Sequence, residues 1–383
     1  MEKLIVKNFG PIKKAEIDLT KYVIFIGDTS TGKSVLAKLI TIFRDNFLLL
    51  SLKEIESLNF KNELKRYNID FNTKNTKISY LDGNKKILEL INDQIILIDV
   101  ETKTKHLKEY ESIVDKIVDA TPFSDFLDFD KNSFLQKSLE LSLRNMYSTY
   151  VPAERILFSL IGNSISGLWA NNVALPECYK DFAAKYEVAR KEINFSNYKS
   201  FDIEYNNNNG VDEIVLNKIK ILLSQSSSGI QSLIPLLLVL DNEIEKYDGG
   251  YNKSFIVEEP ELNLFPIKQK MLLNYIADKI NGKNLKLIIT THSPYILSSL
   301  DTLILAKNTF NEHPDLKEEI NAIVSEDRWI DYDDISVYEV RNDGKVYSIK
   351  NEEFRSIDTN AIDGVSDIIS EEFDKLTELR YAQ

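Results

Sequence analysis

Residues 27–34 read Gly-Asp-Thr-Ser-Thr-Gly-Lys-Ser and fit G-x-x-x-x-G-K-[ST] at every fixed position, a pattern that must join a strand to a helix. The flanks agree. Tyr22 to Ile26 is a short apolar run rich in β-formers, and Val35, Leu36, Leu39, Ile40 and Phe43 recur at helical spacing. In such a loop the backbone N–H groups turn inward around phosphate oxygens and the helix adds its positive amino end. Gly27, Asp28, Thr29, Ser30, Thr31 and Gly32 form the cradle. Lys33 is then placed to reach the β- and γ-phosphates of a nucleotide, and the Ser34 hydroxyl to ligate Mg²⁺.

The 383 residues suffice for one large α/β domain with an elaboration, or for two domains. A single cysteine, Cys178, allows no disulfide framework and suits a reducing compartment. The longest apolar run, Leu233 to Leu240, is far short of the ~18 residues of a membrane span, and Met1-Glu2-Lys3-Leu4 opens no signal peptide. The expectation is a soluble, cytoplasmic protein with no membrane partner. The net charge of -13 is concentrated at one end: Thr309 to Gln383 holds 20 acidic and 8 basic residues, leaving 40 against 39 before it. Charge therefore does not indicate nucleic-acid binding, although it does not exclude a local basic patch. The acidic tail reads either as a solvated surface or as a docking surface for a basic partner.

Lys3 to Lys7 alternates as a strand, Asn8 to Pro11 is a turn, and Ala15 to Leu19 is its return. An Asn-Phe-Gly-Pro-Ile hairpin just before a phosphate loop resembles the opening of the SMC/RecF/OLD branch of ABC-type ATPases. That resemblance implies an α/β, ABC-type P-loop NTPase with a mixed central sheet, an N-terminal β-lobe and a mainly helical insertion. The expected core is 1–45 with 148–308, the insertion 46–147, and the acidic C-terminal hairpin and helix extension 309–383. Within the insertion, Lys77 to Tyr80 and Ile95 to Ile98 read as strands around the turn Asp82-Gly83-Asn84. Helical patterns follow at Leu107 to Val118 and Leu135 to Met146, separated by Pro122 and Asp128 to Asn132. No heptad repeat persists, so a long coiled-coil arm is not expected.

Tyr150-Val151-Pro152-Ala153-Glu154-Arg155 resembles an element of OLD-like ATPases; Glu154 and Arg155 read either as the edge of the nucleotide pocket or as a structural ion pair. A helix spans about Glu177 to Ile193, and Phe201 to Tyr205 with Glu213 to Leu216 form a hairpin around an asparagine run. Ser226-Ser227-Ser228-Gly229-Ile230-Gln231 resembles the ABC signature L-S-G-G-Q, with Ser227 and Ile230 departing from it. Ser228 and the N–H groups of Gly229 and Ile230 open a helix suited to an anion. In the family Ser228, Gly229, Ile230 and Gln231 would serve the γ-phosphate on the other subunit's phosphate loop. Pro235 should kink or strain that helix.

Ser254 to Val257 reads as a buried strand ending in Glu258-Glu259-Pro260-Glu261. A strand-end carboxylate can hold Mg²⁺ through water and its neighbour can polarise the attacking water; Glu258 takes the first role and Glu259 the second. Glu261 to Leu264 occupies the position of the family's subunit-contact loop. Leu285 to Ile289 is the next strand, and His292 at its exit matches the switch histidine, placed for the γ-phosphate and the water. Thr302 to Ala306 reads as a further buried strand, Ile335 to Val340 and Lys345 to Ile349 as a hairpin around Asn342-Asp343-Gly344, and Ser366 to Leu379 as the last helix.

The resemblance implies an ATPase using ATP and Mg²⁺, assembling as an ATP-dependent homodimer or higher oligomer. OLD-family nucleases add a Toprim domain, but the only D-x-D after His292, Asp331-Tyr332-Asp333, precedes its strand and reads as surface loop. Most of the chain resembles the ATPase subunits of two-gene bacterial antiphage systems, Septu-like or PARIS-like, in which a sensor ATPase controls a separate effector such as a nuclease or toxin. The alternative is a RecF/SMC-like DNA-repair ATPase that binds DNA. A transporter subunit is disfavoured by the hairpin, the long insertion and the altered signature.

Overall fold

The computed structural model describes residues 1–44, 60–92, 94–97, 99, 101, 147–162, 175–249, 252–358 and 364–381. Strands β1 (Glu2–Phe9) and β2 (Ile12–Asp18) form the expected antiparallel hairpin, and β3 (Tyr22–Ile26) leads into α1 (Lys33–Arg44). Strands β4 (Lys77–Asp82), β5 (Lys85–Ile91) and β6 (Gln94–Leu97) then join the hairpin in one five-stranded antiparallel sheet, ordered β2-β1-β4-β5-β6. The first part of the expected insertion thus extends the N-terminal lobe. The helical patterns at 107–118 and 135–146, with Pro122 and 128–132, lie outside the described residues.

The second half begins with β7 (Ser148–Val151), α2 (Ile156–Ile161) and α3 (Glu177–Glu192). A small antiparallel sheet follows, built from β8 (Phe195–Tyr198), β9 (Ile203–Asn208), β10 (Val211–Leu216) and β11 (Ile219–Leu222). Asn206 to Asn208 belong to β9, and only Asn209 and Gly210, at φ 51 and 87, make the turn, because a two-residue hairpin wants left-handed residues at both positions. Next come α4 (Ser228–Glu245), β12 (Lys253–Glu258), α5 (Pro266–Ile280), β13 (Leu285–Thr291), α6 (Pro294–Glu312), β14 (Ile335–Val340), β15 (Val346–Ser348) and the last helix α7 (Gly364–Tyr381). Helix α4 runs unbroken through Pro235.

The central sheet has six strands in the order β15-β14-β3-β13-β12-β7, parallel except for β15. Two further expectations change. Thr302 to Ala306 is helix: Ile296, Leu297, Leu300, Leu303 and Ile304 are buried at helical spacing while Leu305 is exposed, and Ser293 caps the start ahead of Pro294. A short apolar run alone does not separate the two periods. The C-terminal segment, expected to be an extension beyond residue 308, sends β14 into the sheet beside β3, so the sheet is completed by residues from both ends of the described chain.

Alternation within the strands sorts the core into two layers. Tyr22, Ile24, Ile26, Phe255, Val257, Leu287 and Ile289 face a layer built with α3, α4, α5 and α6. Val23, Phe25, Ile256 and Ile288 face the opposite layer, with α1 and the N-terminal lobe. Every residue of β12 is buried, as expected for an interior strand of a parallel sheet covered on both faces. Helix α4 is apolar nearly all round because it is enclosed in the first layer, with every residue from Gln231 to Leu240 buried. The loops that follow β3, β12 and β13 leave the sheet at one edge, which brings the phosphate loop, the acids and the histidine together.

Candidate functional site

The phosphate loop runs from β3 to α1 with Gly27, Ser30 and Gly32 at φ 150, 62 and 109. At Gly27 a side chain is excluded as well as strained, since a Cβ would lie 2.3 Å from the carbonyl oxygen of Val340 in β14. Asn342, just beyond that strand, donates to the Asp28 carboxylate at 3.4 Å, and Asp28 also accepts from the Thr29 N–H at 2.7 Å. The Thr31 hydroxyl donates to the Asp28 carbonyl. Lys33, 5% exposed, donates to the carbonyls of Gly27 at 2.9 Å and Asp28 at 2.7 Å. Burial pushes its ammonium down, while Glu259, Asp28 and Glu261 hold it up.

Glu258 ends β12 and is 4% exposed. Burial pushes its carboxyl up, opposed by the charge of Lys38 and by the neighbouring Tyr150 and Ser34 hydroxyls. Its Oε1 is buried without a hydrogen-bond partner, as is the Thr290 hydroxyl, and a buried polar atom left so costs about 1–3 kcal/mol. A carboxylate beside a hydroxyl is the hard-oxygen donor set that Mg²⁺ takes, so the residues fit that ion. Among the described residues no group of three or more His, Cys, Asp or Glu could hold a metal by itself.

Glu259 adopts a left-handed backbone, φ 42, and its N–H donates to the Thr290 carbonyl at 2.9 Å. Its carboxylate lies 3.2 Å from His292 Nε2, and His292 Nδ1 lies 3.4 Å from Lys33 Nζ. A carboxylate on one ring nitrogen and an ammonium on the other assign the proton of the neutral ring to Nε2. Lys33, His292 and Glu259 thus form one polar chain from the phosphate loop to the second acid. Glu261 fixes the histidine from behind, accepting from the Thr291 hydroxyl at 2.6 Å and the His292 N–H at 2.8 Å.

Ser228 stands exposed at the start of α4, preceded by Ser227, whose side chain makes no capping bond. Gly229 is buried, and a Cβ there would lie 2.6 Å from the Asn263 carbonyl oxygen, so the signature-like tip packs closely on the loop that follows the acids. Gln231 turns inward, donating to the carbonyls of Ser224 and Ser226, and shapes the approach to the helix. Ile230 is half-buried. Glu154 and Arg155 do not pair: Glu154 accepts from the Tyr179 hydroxyl, and Arg155 is fully buried among backbone carbonyls. Asp331 and Asp333 are surface acids, both beside Arg355. Sequence reasoning assigned Glu261 only to the subunit-contact loop, without its bonds to Thr291 and His292, and missed Asn342; the Asn-Asp-Gly turn was legible, but its position beside the phosphate loop depends on β14 pairing with β3.

Residues 123–297 match the family model described as AAA ATPase domain, a span that includes the signature-like segment, both acids and His292 but not the phosphate loop. The curated protein "Endonuclease GajA" of Bacillus cereus (strain HuB5-5) is 24% identical over 284 residues, covering 70% of this chain; the chain spans 37% of that relative's length. Among solved structures, the SmcHead bound to the C-winged helix domain of ScpA aligns at TM-score 0.41 and 15% identity, covering 92% of this chain and 98% of that one. The Smc head domain bound to the C-terminal domain of ScpA from Pyrococcus furiosus aligns at 0.39 and 13%, covering 99% and 100%. The transporter component cbiO1 of Clostridium perfringens aligns at 0.36 and 12%, covering 100% and 95%. Similarity to the AAA ATPase domain supports ATPase activity for a chain of this mixed α/β, P-loop fold.

Proposed function

We propose that the chain binds Mg²⁺ and ATP at residues 27–34 and hydrolyses the γ-phosphate. The observation that carries this reading is the polar chain Lys33, His292 and Glu259, which joins the phosphate-binding lysine to a carboxylate across 3.4 and 3.2 Å contacts. Lys33 neutralises phosphate charge, His292 orients the attacking water, and Glu259 accepts its proton. Ser34 and Glu258 would hold Mg²⁺, which when bound offsets the charge of the phosphate oxygens. Ser228, Gly229 and Ile230 of a second copy would close the site, giving a homodimer or higher oligomer that ATP tightens. Release of inorganic phosphate by the purified protein, dependent on both ATP and Mg²⁺, is the direct test. A folded protein that binds ATP and releases no phosphate, alone or with its partners, refutes the catalytic part.

In biological terms, we read the chain as a sensor that controls a separate effector, a nuclease or toxin, in bacterial antiphage defence. The similarity to Endonuclease GajA favours this over DNA repair, as does the near-balanced charge before Thr309. Co-purification with the product of an adjacent gene tests it, whereas salt-sensitive DNA binding by the isolated protein would favour the repair reading.

A further inference from the structure

Arg155 ends the short turn Ala153–Arg155 after β7 and is 0% exposed. A guanidinium has five N–H donors in a fixed fork. Here each donor meets a backbone carbonyl: Nε to Ser232 at 3.1 Å, one terminal nitrogen to Pro152 at 3.2 Å and Glu258 at 2.9 Å, the other to Glu259 at 2.9 Å and Pro260 at 3.2 Å. Three consecutive carbonyls of the acid turn therefore converge on one group. The fourth external contact is to the first turns of α4. Burial pushes the guanidinium down to about 10, and the nearby charges of Glu261, Glu259 and Glu258 oppose that.

The placement has a consequence for Glu259. Its φ of 42 is unfavourable for a residue with a side chain and persists only where the surroundings hold it. Arg155 binds its carbonyl and both adjacent ones, and the Thr290 carbonyl takes its N–H, so the backbone is held on both sides. We infer that Arg155 is a positioning residue that locks the acid turn to the signature helix, so that Glu259 and the Ser228 tip of one chain move as a unit. This rests on the ATPase reading above. In a pair closed by exchanged signature segments, the acids of a chain serve one site and its Ser228 tip serves the other. Arg155 thereby links the two sites within each chain.

Arg155→Lys keeps the charge but has three donors and no planar fork, and Arg155→Gln keeps two donors without charge. Amide hydrogen exchange should speed up in both variants in two segments, 228–236 and 258–263, with the phosphate-loop helix 33–44 unchanged. ATP affinity should stay near wild type, because Arg155 lies behind the acids, while kcat falls by about 10- to 100-fold, the scale of a displaced catalytic group. Arg155→Lys should retain more activity than Arg155→Gln. Unchanged exchange in either segment overturns the link. Equal loss of affinity and kcat with exchange raised throughout, or failure of both variants to fold, assigns Arg155 a purely structural role and also overturns it. If the wild-type protein hydrolyses no ATP, the catalytic reading fails separately, and the exchange pattern still decides whether Arg155 joins the two segments.

Discussion

The two halves of the candidate site are built differently. The phosphate-loop half is closed on itself: Lys33 is bonded to two loop carbonyls, His292 bridges Lys33 and Glu259, and Glu261 holds the histidine backbone. The signature half presents an exposed Ser228 and an uncapped Ser227 at the tip of α4, while the other end of the same helix is anchored by Glu243 to Lys253, Lys185 and Thr149. A helix start normally gains about 0.5–2 kcal/mol from a side-chain cap, so an anchored helix with an uncapped, exposed tip is suited to an anion supplied from outside. The difference suits the proposed reading, in which the first half is preorganised within one chain and the second would be used between chains.

The comparison breaks most readily at the acid. Glu259→Gln preserves shape and the contact to His292 but removes the proton acceptor, so hydrolysis should fall by about 10²–10⁴-fold with ATP still bound. An ATP-bound dimer should accumulate by size-exclusion chromatography. Normal phosphate release in this variant would falsify the assignment and direct attention to Glu261. The tip is next. Ser228→Arg fills the anion-facing position, and hydrolysis should drop by about 10²–10³-fold, comparable with loss of an oxyanion donor. Mixing it with Lys33→Ala protein should restore activity, because each heterodimer then contains one intact site; no recovery at any ratio argues for a site completed within one chain.

Lys33→Ala tests the closed half alone. A charge-assisted contact contributes about 1.5–3 kcal/mol, so ATP affinity should weaken by roughly 10- to 150-fold. Titration with a fluorescent ATP analogue measures it, and wild-type affinity would show that the loop binds its ligand through backbone groups only.

The closed half was legible because its chemistry is local. A glycine loop between Ile26 and Lys33, two acids after Val257 and a histidine after Thr291 each follow an apolar run, and parallel strands gather their exits at one edge. What the sequence hid depends on distant pairing. Nothing local places Asn342 beside Asp28; that requires β14 to lie next to β3. Arg155 read as an edge residue or an ion pair because its partners are backbone carbonyls, which no side-chain pattern announces. Thr302 to Ala306 misled because five apolar-rich residues fit either period, and the buried Leu297 and Leu300 that decide it lie outside the run.

The anchored base of α4 gives the smallest expected effect on hydrolysis and a large one on stability. Burial alone would raise the Glu243 carboxyl, but Lys185 and Lys253 outweigh it and hold it at about 2, against an ordinary 4.5. Lys185, itself pushed down chiefly by burial, shares this carboxylate with Lys253, so removing the charge leaves two enclosed ammonium groups facing each other. Glu243→Gln should therefore lower stability by on the order of 3 kcal/mol at pH 7, while a site this far from the acids leaves hydrolysis at 25 °C nearly unchanged. The sign follows from the depressed folded-state value: the contribution is full above 4.5 and is lost as pH falls from there to about 2. Urea unfolding of both proteins at pH 7 and across the acid range checks this, with the gap between them narrowing only below 4.5. An equal gap at every pH would mean that Glu243 acts through packing, and a loss of hydrolysis matching the Ser228→Arg effect would mean that base and tip of the helix cannot be separated.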